Sequence, residues 1–579
     1  MIRSLLILAA IVYGVSQLAV AQVKNFRPVT KEMLLNPSPS DWLMFSRTYN
    51  SQRFSPLDQI NRQNVSQLRM VWSRGMMPGN HENIPLVHDG VMYVVNPQAV
   101  VQALDATNGD LIWEYKRTLP KDLGETINRA GRNRTMSIYE DLIFFAAPDG
   151  FVVALDARTG KLRWESKTQD YKNGTQHTAG AIVIDGKVLS GRGCGGAIET
   201  LNRSECSFIV AHDALTGKEV WRFYTTAAPG EPGGDTWGNT PEERRQASAW
   251  GLPGSFDPVR NLIYWGIANP KPHTRWARHN GIVDDIPQTA PAELYSNSTV
   301  ALNSNTGKLK WYYQELPGDD WDMDHTHDRI LIRTPINPDP NAVRWISSRI
   351  ARGQERDVVV SIGDPGGIWI VDRDSGEFLW ATPFPFDTPY FHVSKVDSET
   401  GKSYINWDQV MKTKDDKSTV CYSNQRSYAA LAYSPKTNSL YAPYLDVCFE
   451  RTFNANSEDM HQRRTIPRPG SDPNAPSGIM KINMATGQIQ KFYSSKVDNR
   501  GAMLATAGDL IFWGDWDRRF RAFDADSGRI LWETILAGNV ENSTITYSVN
   551  GKQYVAVLTG DGTPKVPGNT TTISVFALP

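Results

Sequence analysis

Residues 317–329 read PGDDWDMDHTHDR, five aspartates and two histidines within thirteen positions. The whole chain carries a formal charge of only −1, so acid is gathered here rather than spread evenly. Neighbouring carboxylates repel one another, and a group of them is either hydrated or gathered around a cation. In a strand-like stretch, residues two apart face the same side, which would turn Asp322 and Asp324 toward one ion. Carboxylate oxygens are hard donors, suited to calcium or to a trivalent ion.

The elements that must hold this stretch are strands. One phrase recurs along the chain: VQALDATNGDLIWEY (101–115), VVALDARTGKLRWES (152–166), IVAHDALTGKEVWRF (209–223), TVALNSNTGKLKWYY (299–313), IWIVDRDSGEFLWAT (368–382) and FRAFDADSGRILWET (520–534). A degenerate copy, IMKINMATGQIQKFY, occupies 479–493. The common form is an apolar strand, a D-x-x-T/S-G turn and a second strand with a tryptophan four residues past the glycine. Aspartate opens the turn and glycine supplies positive φ, so each copy is a β-hairpin. Diverged hairpins fill the gaps at 255–269 and 432–445, and amphipathic-helix spacing is almost absent. Repeated four-stranded units with a tryptophan in each predict an all-β, eight-bladed β-propeller with tryptophan-docking repeats. The stretch 41–72 is expected to complete the last blade with the C-terminal strand KQYVAVLTG.

The 579 residues hold 61 lysines and arginines against 62 aspartates and glutamates, which gives no electrostatic reason to expect nucleic acid as a partner. The N-terminus, MIRSLLILAAIVYGVSQLAVAQ, has one arginine, an apolar run and an A-x-A site at Ala19–Ala21. These features predict a cleaved signal peptide over 1–21, a periplasmic location, and a single domain over 22–579. No later stretch approaches the ~18–20 apolar residues of a membrane-spanning helix. Four cysteines, Cys194, Cys206, Cys421 and Cys448, suit two disulfides in an exported chain. Three connectivities are open, of which Cys194–Cys206 with Cys421–Cys448 is nearest in sequence. No CxxCH occurs, so no c-type haem is attached to this sequence.

The hairpin phrase resembles that of the quinoprotein alcohol dehydrogenases, propellers that hold pyrroloquinoline quinone (PQQ) and a metal ion. Non-catalytic scaffold propellers share the phrase, so the site motifs decide. HENIPLV (81–87) resembles the family's H-E-x-x-P-L-V and implies a PQQ contact at Glu82; GRNRTM (131–136) implies one at Arg134. HTAGAIV (177–183) implies Thr178, and SAWGLPG (248–254) implies Trp250 as the indole beneath the cofactor. YWGIANPKP (264–272) resembles Y-x-G-x-G-N-P-x-P and implies Asn269 as a metal ligand. WYYQELPGDDWDMD (311–324) resembles W-x-Y-Q-x-x-P-x-D-x-W-D, with Asp322 at the catalytic and metal-binding position. Asp324 matches the extra aspartate of the lanthanide-dependent branch. STVCYSNQRSYAALAYSPKTNSLYAPYLDVCFE (418–450) resembles a segment whose cysteines are bonded, which implies Cys421–Cys448.

The chain departs from the family pattern in four places. The adjacent-cysteine pair expected before Arg134 is absent, and the metal glutamate is displaced to Glu199, with Glu205 as competitor. No lysine or arginine precedes GGIWIVDR, where Asp364 and Pro365 stand, and the usual N-W reads Ser427-Tyr428. The resemblance implies oxidation of a small-molecule alcohol by hydride transfer to PQQ. In it a lanthanide(III) or Ca2+ is the Lewis acid and Asp322 the general base. Electrons would pass to an external cytochrome c or similar acceptor. His325 and His327 are assigned to the loop or substrate entrance, and a homodimer is left open.

Overall fold

A computed structural model describes residues 22–79, 81–126, 132–194, 203–422, 429–453, 461–498, 501–560 and 570–579. The predicted signal peptide, Glu199 and Ser427–Tyr428 lie outside these residues. Antiparallel strands dominate, and the described α-helices are only four or five residues long. Among the described residues, five sheets have four strands and three have five. Leu86–His88, Val91–Asn96, Val100–Asp105 and Leu111–Lys116 make one four-stranded sheet, in chain order. Its first strand is wholly buried, while its last exposes three of its six residues and buries only Trp113. That gradient marks the first strand as innermost and the last as outermost.

The hairpin turns form as their sequence requires. Asp213 Oδ1 accepts bonds from the Thr216 amide and hydroxyl at 2.8 Å each, and Asp372 receives Ser375 in the same way at 3.0 and 2.9 Å. The glycine that follows serves twice. Gly160 has φ +69°, and the Trp113 indole of the preceding sheet lies so close that a Cβ would stand 2.5 Å from it. The indole Nε1 of Trp113 then donates to Ala157 O at 3.0 Å. Trp164 meets Gly217, Trp221 meets Gly307 and Trp311 meets Gly376 in the same manner. Phe492 replaces the tryptophan in the degenerate copy and lies against Gly528. Trp532 donates to Leu68 O at 3.2 Å, just before strand Arg69–Gly75.

An early strand and the last strand meet in one sheet, whereas the first strand, Phe54–Ser55, pairs with Leu504–Thr506 in another. Arg69–Gly75 pairs with Thr572–Ala577, which pairs in turn with Lys552–Gly560. Two disulfides are present, Cys194–Cys206 and Cys421–Cys448, and they leave no free cysteine. Outside the larger sheets, Lys417–Tyr422, Val447–Phe453 and His461–Pro467 make a three-stranded sheet that holds the second disulfide.

Candidate active site

Strand direction explains where the chemistry collects. In an antiparallel four-stranded sheet, the chain reaches the first strand at the same end as the loop joining the second to the third. Glu82, Arg134, Thr178, Trp250 and the Asp322–Asp324 pair all stand just before first strands: Leu86–His88, Met136–Tyr139, Ile182–Ile184, Ser255–Asp257 and Ile330–Ile336. Asn269 follows Leu262–Gly266, in a second-to-third connection. The D-x-x-T/S-G turns occupy the opposite ends. Site and repeat are therefore segregated.

The expected residues meet through short contacts. Arg134 Nε lies 2.8 Å from Glu82 Oε2, both side chains being fully buried, and Arg132 Nη1 lies 3.2 Å from Glu82 Oε1. Arg134 Nη1 and Thr178 Oγ1 both donate to Trp250 O, at 3.0 and 3.1 Å. The Arg134 guanidinium sits 4.8 Å from the centre of the Trp250 ring. Across the indole, Trp250 Nε1 donates to Asp324 Oδ2 at 2.9 Å, and the Asn269 amide donates to Asp324 Oδ1 at 3.1 Å. Burial, and after it the Asp322 charge, push the Asp324 carboxyl above the usual carboxylate range; Lys271 and His273 pull it back.

The aspartate stretch is not strand-like. It runs irregularly from Glu315 to Arg329, and Asp322 has φ +63°, so i, i+2 alternation does not set its geometry. Nor does most of the acid face solvent: Asp319, Asp320, Asp324 and Asp328 are buried, and Asp322 is partly exposed. Asp319 accepts from the amides of Trp321 (2.8 Å) and Met323 (2.6 Å), while Asp320 accepts from Arg275 N (2.6 Å) and Met411 N (2.8 Å). Burial raises the Asp320 carboxyl to about 7. Asp328 Oδ2 accepts from Leu431 N at 2.9 Å. Four of the five aspartates thus accept from backbone amides, Asp324 among them, while Asp322 faces the side chains of His273 and Lys271. His325 and His327 are buried rather than at an entrance, with His325 edge-on to Trp369 at 5.6 Å.

Lys271 and His273 were not anticipated. His273 Nε2 lies 2.6 Å from Asp322 Oδ1, Lys271 Nζ lies 3.4 Å from the same oxygen, and the two nitrogens touch each other. Arg132 was passed over as well. The signal for all three was their adjacency to motif residues, two to four positions away. Glu205, the competitor for the metal, accepts from Asn173 Nδ2 at 2.7 Å.

The residues fit the expected groups. Asn269 Oδ1 is buried and accepts no hydrogen bond, the state of a carbonyl that lacks a cation partner. With the Asp322 and Asp324 carboxylates it makes a set of hard oxygens suited to calcium or a lanthanide. Two guanidinium groups meeting at Glu82 suit an acidic, planar cofactor.

Residues 42–384 and 471–555 match the family described as PQQ: glucose/ethanol/alcohol dehydrogenase, beta-propeller domain. The chain belongs to the PQQ-dependent alcohol dehydrogenase family. This quinoprotein is 31% identical over 566 residues to quinohemoprotein alcohol dehydrogenase ADH-IIG of Pseudomonas putida, covering 90% of this chain and 73% of that protein. It is 30% identical to the dehydrogenase subunit of the alcohol dehydrogenase (quinone) of Gluconacetobacter polyoxogenes, over 96% of this chain and 76% of the relative. The solved structure of ADHIIG from Pseudomonas putida superposes with a TM-score of 0.81 at 28% identity, covering 96% of this chain and 83% of that one. A europium-containing methanol dehydrogenase shares the fold, with a TM-score of 0.81 at 24% identity over 94% of this chain and all of that one.

Proposed function

We propose that this quinoprotein oxidises an alcohol to an aldehyde or ketone at the cluster around Asp322 and Asp324. The observation that carries the reading is the chain of contacts from Glu82 through Arg134, Trp250 and Asp324 to Asn269. Side chains from several sheets converge there for no purpose that hairpin packing requires. PQQ, when bound with a metal Lewis acid, supplies the two-electron oxidising chemistry. Arg134 and Arg132 would hold the cofactor's acidic edge, Glu82 would orient both guanidinium groups beside the cofactor, and Trp250 would lie against its plane. Asn269, Asp322 and Asp324 would hold the metal, with Glu199 as the further carboxylate expected from the sequence. Asp322 takes the hydroxyl proton of the alcohol as the carbon-bound hydrogen leaves.

The eight larger sheets are read as blades of one closed propeller over 22–579, with the tryptophan–glycine contacts docking each blade on the next. Periplasmic export through residues 1–21 and electron delivery to an external cytochrome c complete the proposal. The test is reconstitution with PQQ and either calcium or a lanthanide, followed by absorbance and a panel of alcohols with a dye acceptor. Asp322→Asn is expected to retain PQQ binding and lose about 10²–10⁴-fold in turnover, the usual worth of a general base. Full turnover by Asp322→Asn, or no saturable PQQ binding with any metal, rejects the assignment.

A further inference from the structure

We propose that Lys271 and His273 form a positioning pair that aims the Asp322 carboxylate at the reacting alcohol. This rests on the reading of Asp322 as the general base. Asp322 sits in the left-handed region at φ +63°, which aspartate adopts more readily than most side chains. Its backbone is fastened on both sides, because Asp319 accepts the amides of Trp321 and Met323. The direction of the side chain still has to be set. His273 Nε2, at 2.6 Å, donates to Oδ1, and Lys271 Nζ, at 3.4 Å from the same oxygen, adds its charge beside it.

The pair is itself held firmly. Arg278 donates to Pro272 O at 2.7 Å and to His273 O at 2.6 Å, and its guanidinium is clamped by the buried Glu293. Lys271 also pairs in register with Gln246 in a short ribbon. The same loop carries Asn269, so one rigid segment offers an oxygen for a metal and two nitrogens for the general base. A carboxylate fixed at one oxygen keeps its reactive direction, and misplacement of a catalytic group by an ångström costs up to about 10²-fold.

The same two nitrogens would also suit an anionic substrate, and the experiment separates the two uses. Holoenzyme reconstituted with PQQ and calcium is compared for wild type, Lys271→Met, Lys271→Arg, His273→Gln and Asp322→Asn. Substrates are an uncharged primary alcohol and an ω-hydroxycarboxylate of equal length; PQQ affinity is read by absorbance titration. Lys271→Met and His273→Gln are expected to lower kcat about 10–100-fold on both substrates, with KM and PQQ affinity near wild type. Lys271→Arg is expected to restore most of the loss. Unchanged kcat in Lys271→Met and His273→Gln overturns the inference, as does a KM rise confined to the hydroxycarboxylate. Loss of PQQ affinity in both lysine variants reassigns Lys271 to the cofactor and equally overturns it. Turnover by Asp322→Asn removes the general base itself, whereas an inactive Asp322→Asn beside a fully active Lys271→Met removes only the positioning pair.

Discussion

Asp324 links the two halves of the site, since one oxygen receives the Trp250 indole and the other the Asn269 amide. It also adds charge where a metal would sit. Asp322, Asp324 and the expected Glu199 together balance a trivalent ion and overbalance a divalent one, while Lys271 subtracts from that total. Asp324→Ala is therefore expected to weaken lanthanide-supported turnover far more than calcium-supported turnover. Dye-linked activity of wild type and variant across calcium and lanthanum series checks this; equal losses with the two metals reject it. Glu82, Arg134, Trp250, Asn269 and Asp324 were legible because each occupies a fixed place within a quoted motif. Lys271 was not, because its meaning lies in a contact with a residue 51 positions away. Residue type alone does not announce such a partner.

The loop from Asn269 through the short helix Arg275–Arg278 shows how an element with only a two-residue sheet pairing is held by side chains. Glu293 is buried and receives Arg278 Nε at 2.7 Å and Nη2 at 2.9 Å, with His279 Nε2 at 2.9 Å from Oε1. Burial opposes ionisation, yet the Arg278 charge and the His279 contact outweigh it and hold the Glu293 carboxyl down at about 2, against an ordinary 4.5. A depressed carboxylate contributes stability that is complete above its unfolded pKa and is lost as pH falls toward the folded one. Glu293→Gln leaves Arg278 buried without its charge partner and is expected to cost about 3–5 kcal/mol near neutrality. The gap in unfolding free energy between wild type and variant should shrink as pH falls from 4.5 toward 2. Denaturant unfolding across that range measures it, and a constant gap refutes the attribution. The aspartate stretch was misread at this level for a related reason. D-x-D spacing looks like strand alternation, but Asp319 and Asp320 bind backbone amides that a strand would give to its neighbour.

For the molecule as a whole, hairpin phrases announced the fold because each carries its own turn chemistry, but of the stretch 41–72 only the part from Arg69 joins the C-terminal sheet, Phe54–Ser55 pairing with Ala505–Thr506 in another. The neighbour that Arg69–Gly75 would choose was not readable, since strand pairing follows packing rather than order. Thr572–Ala577 lies between Arg69–Gly75 and Lys552–Gly560, and its Ile573, Val575 and Phe576 are buried. Phe576 packs 5.2 Å from Trp532, the indole that also reaches Leu68 O. Arg53 adds a second tie, donating to Met503 O at 2.7 Å and to Phe45 O at 2.5 Å. Each buried apolar side chain of this strand is worth about 1.5–3 kcal/mol, and a domain's net stability is only about 5–15 kcal/mol. Deleting residues 570–579 therefore removes a large share of the margin and leaves Arg69–Gly75 without a strand beside it. If the sheets close into one ring, the loss spreads: the truncated chain should fail to bind PQQ, although Glu82, Arg134, Trp250 and Asn269 belong to other sheets. If the sheets were independent, PQQ binding would persist and only a partial early transition would appear. Thermal unfolding by circular dichroism, together with PQQ titration of the truncated and full chains, distinguishes these outcomes. A truncated chain with wild-type cofactor stoichiometry would refute closure.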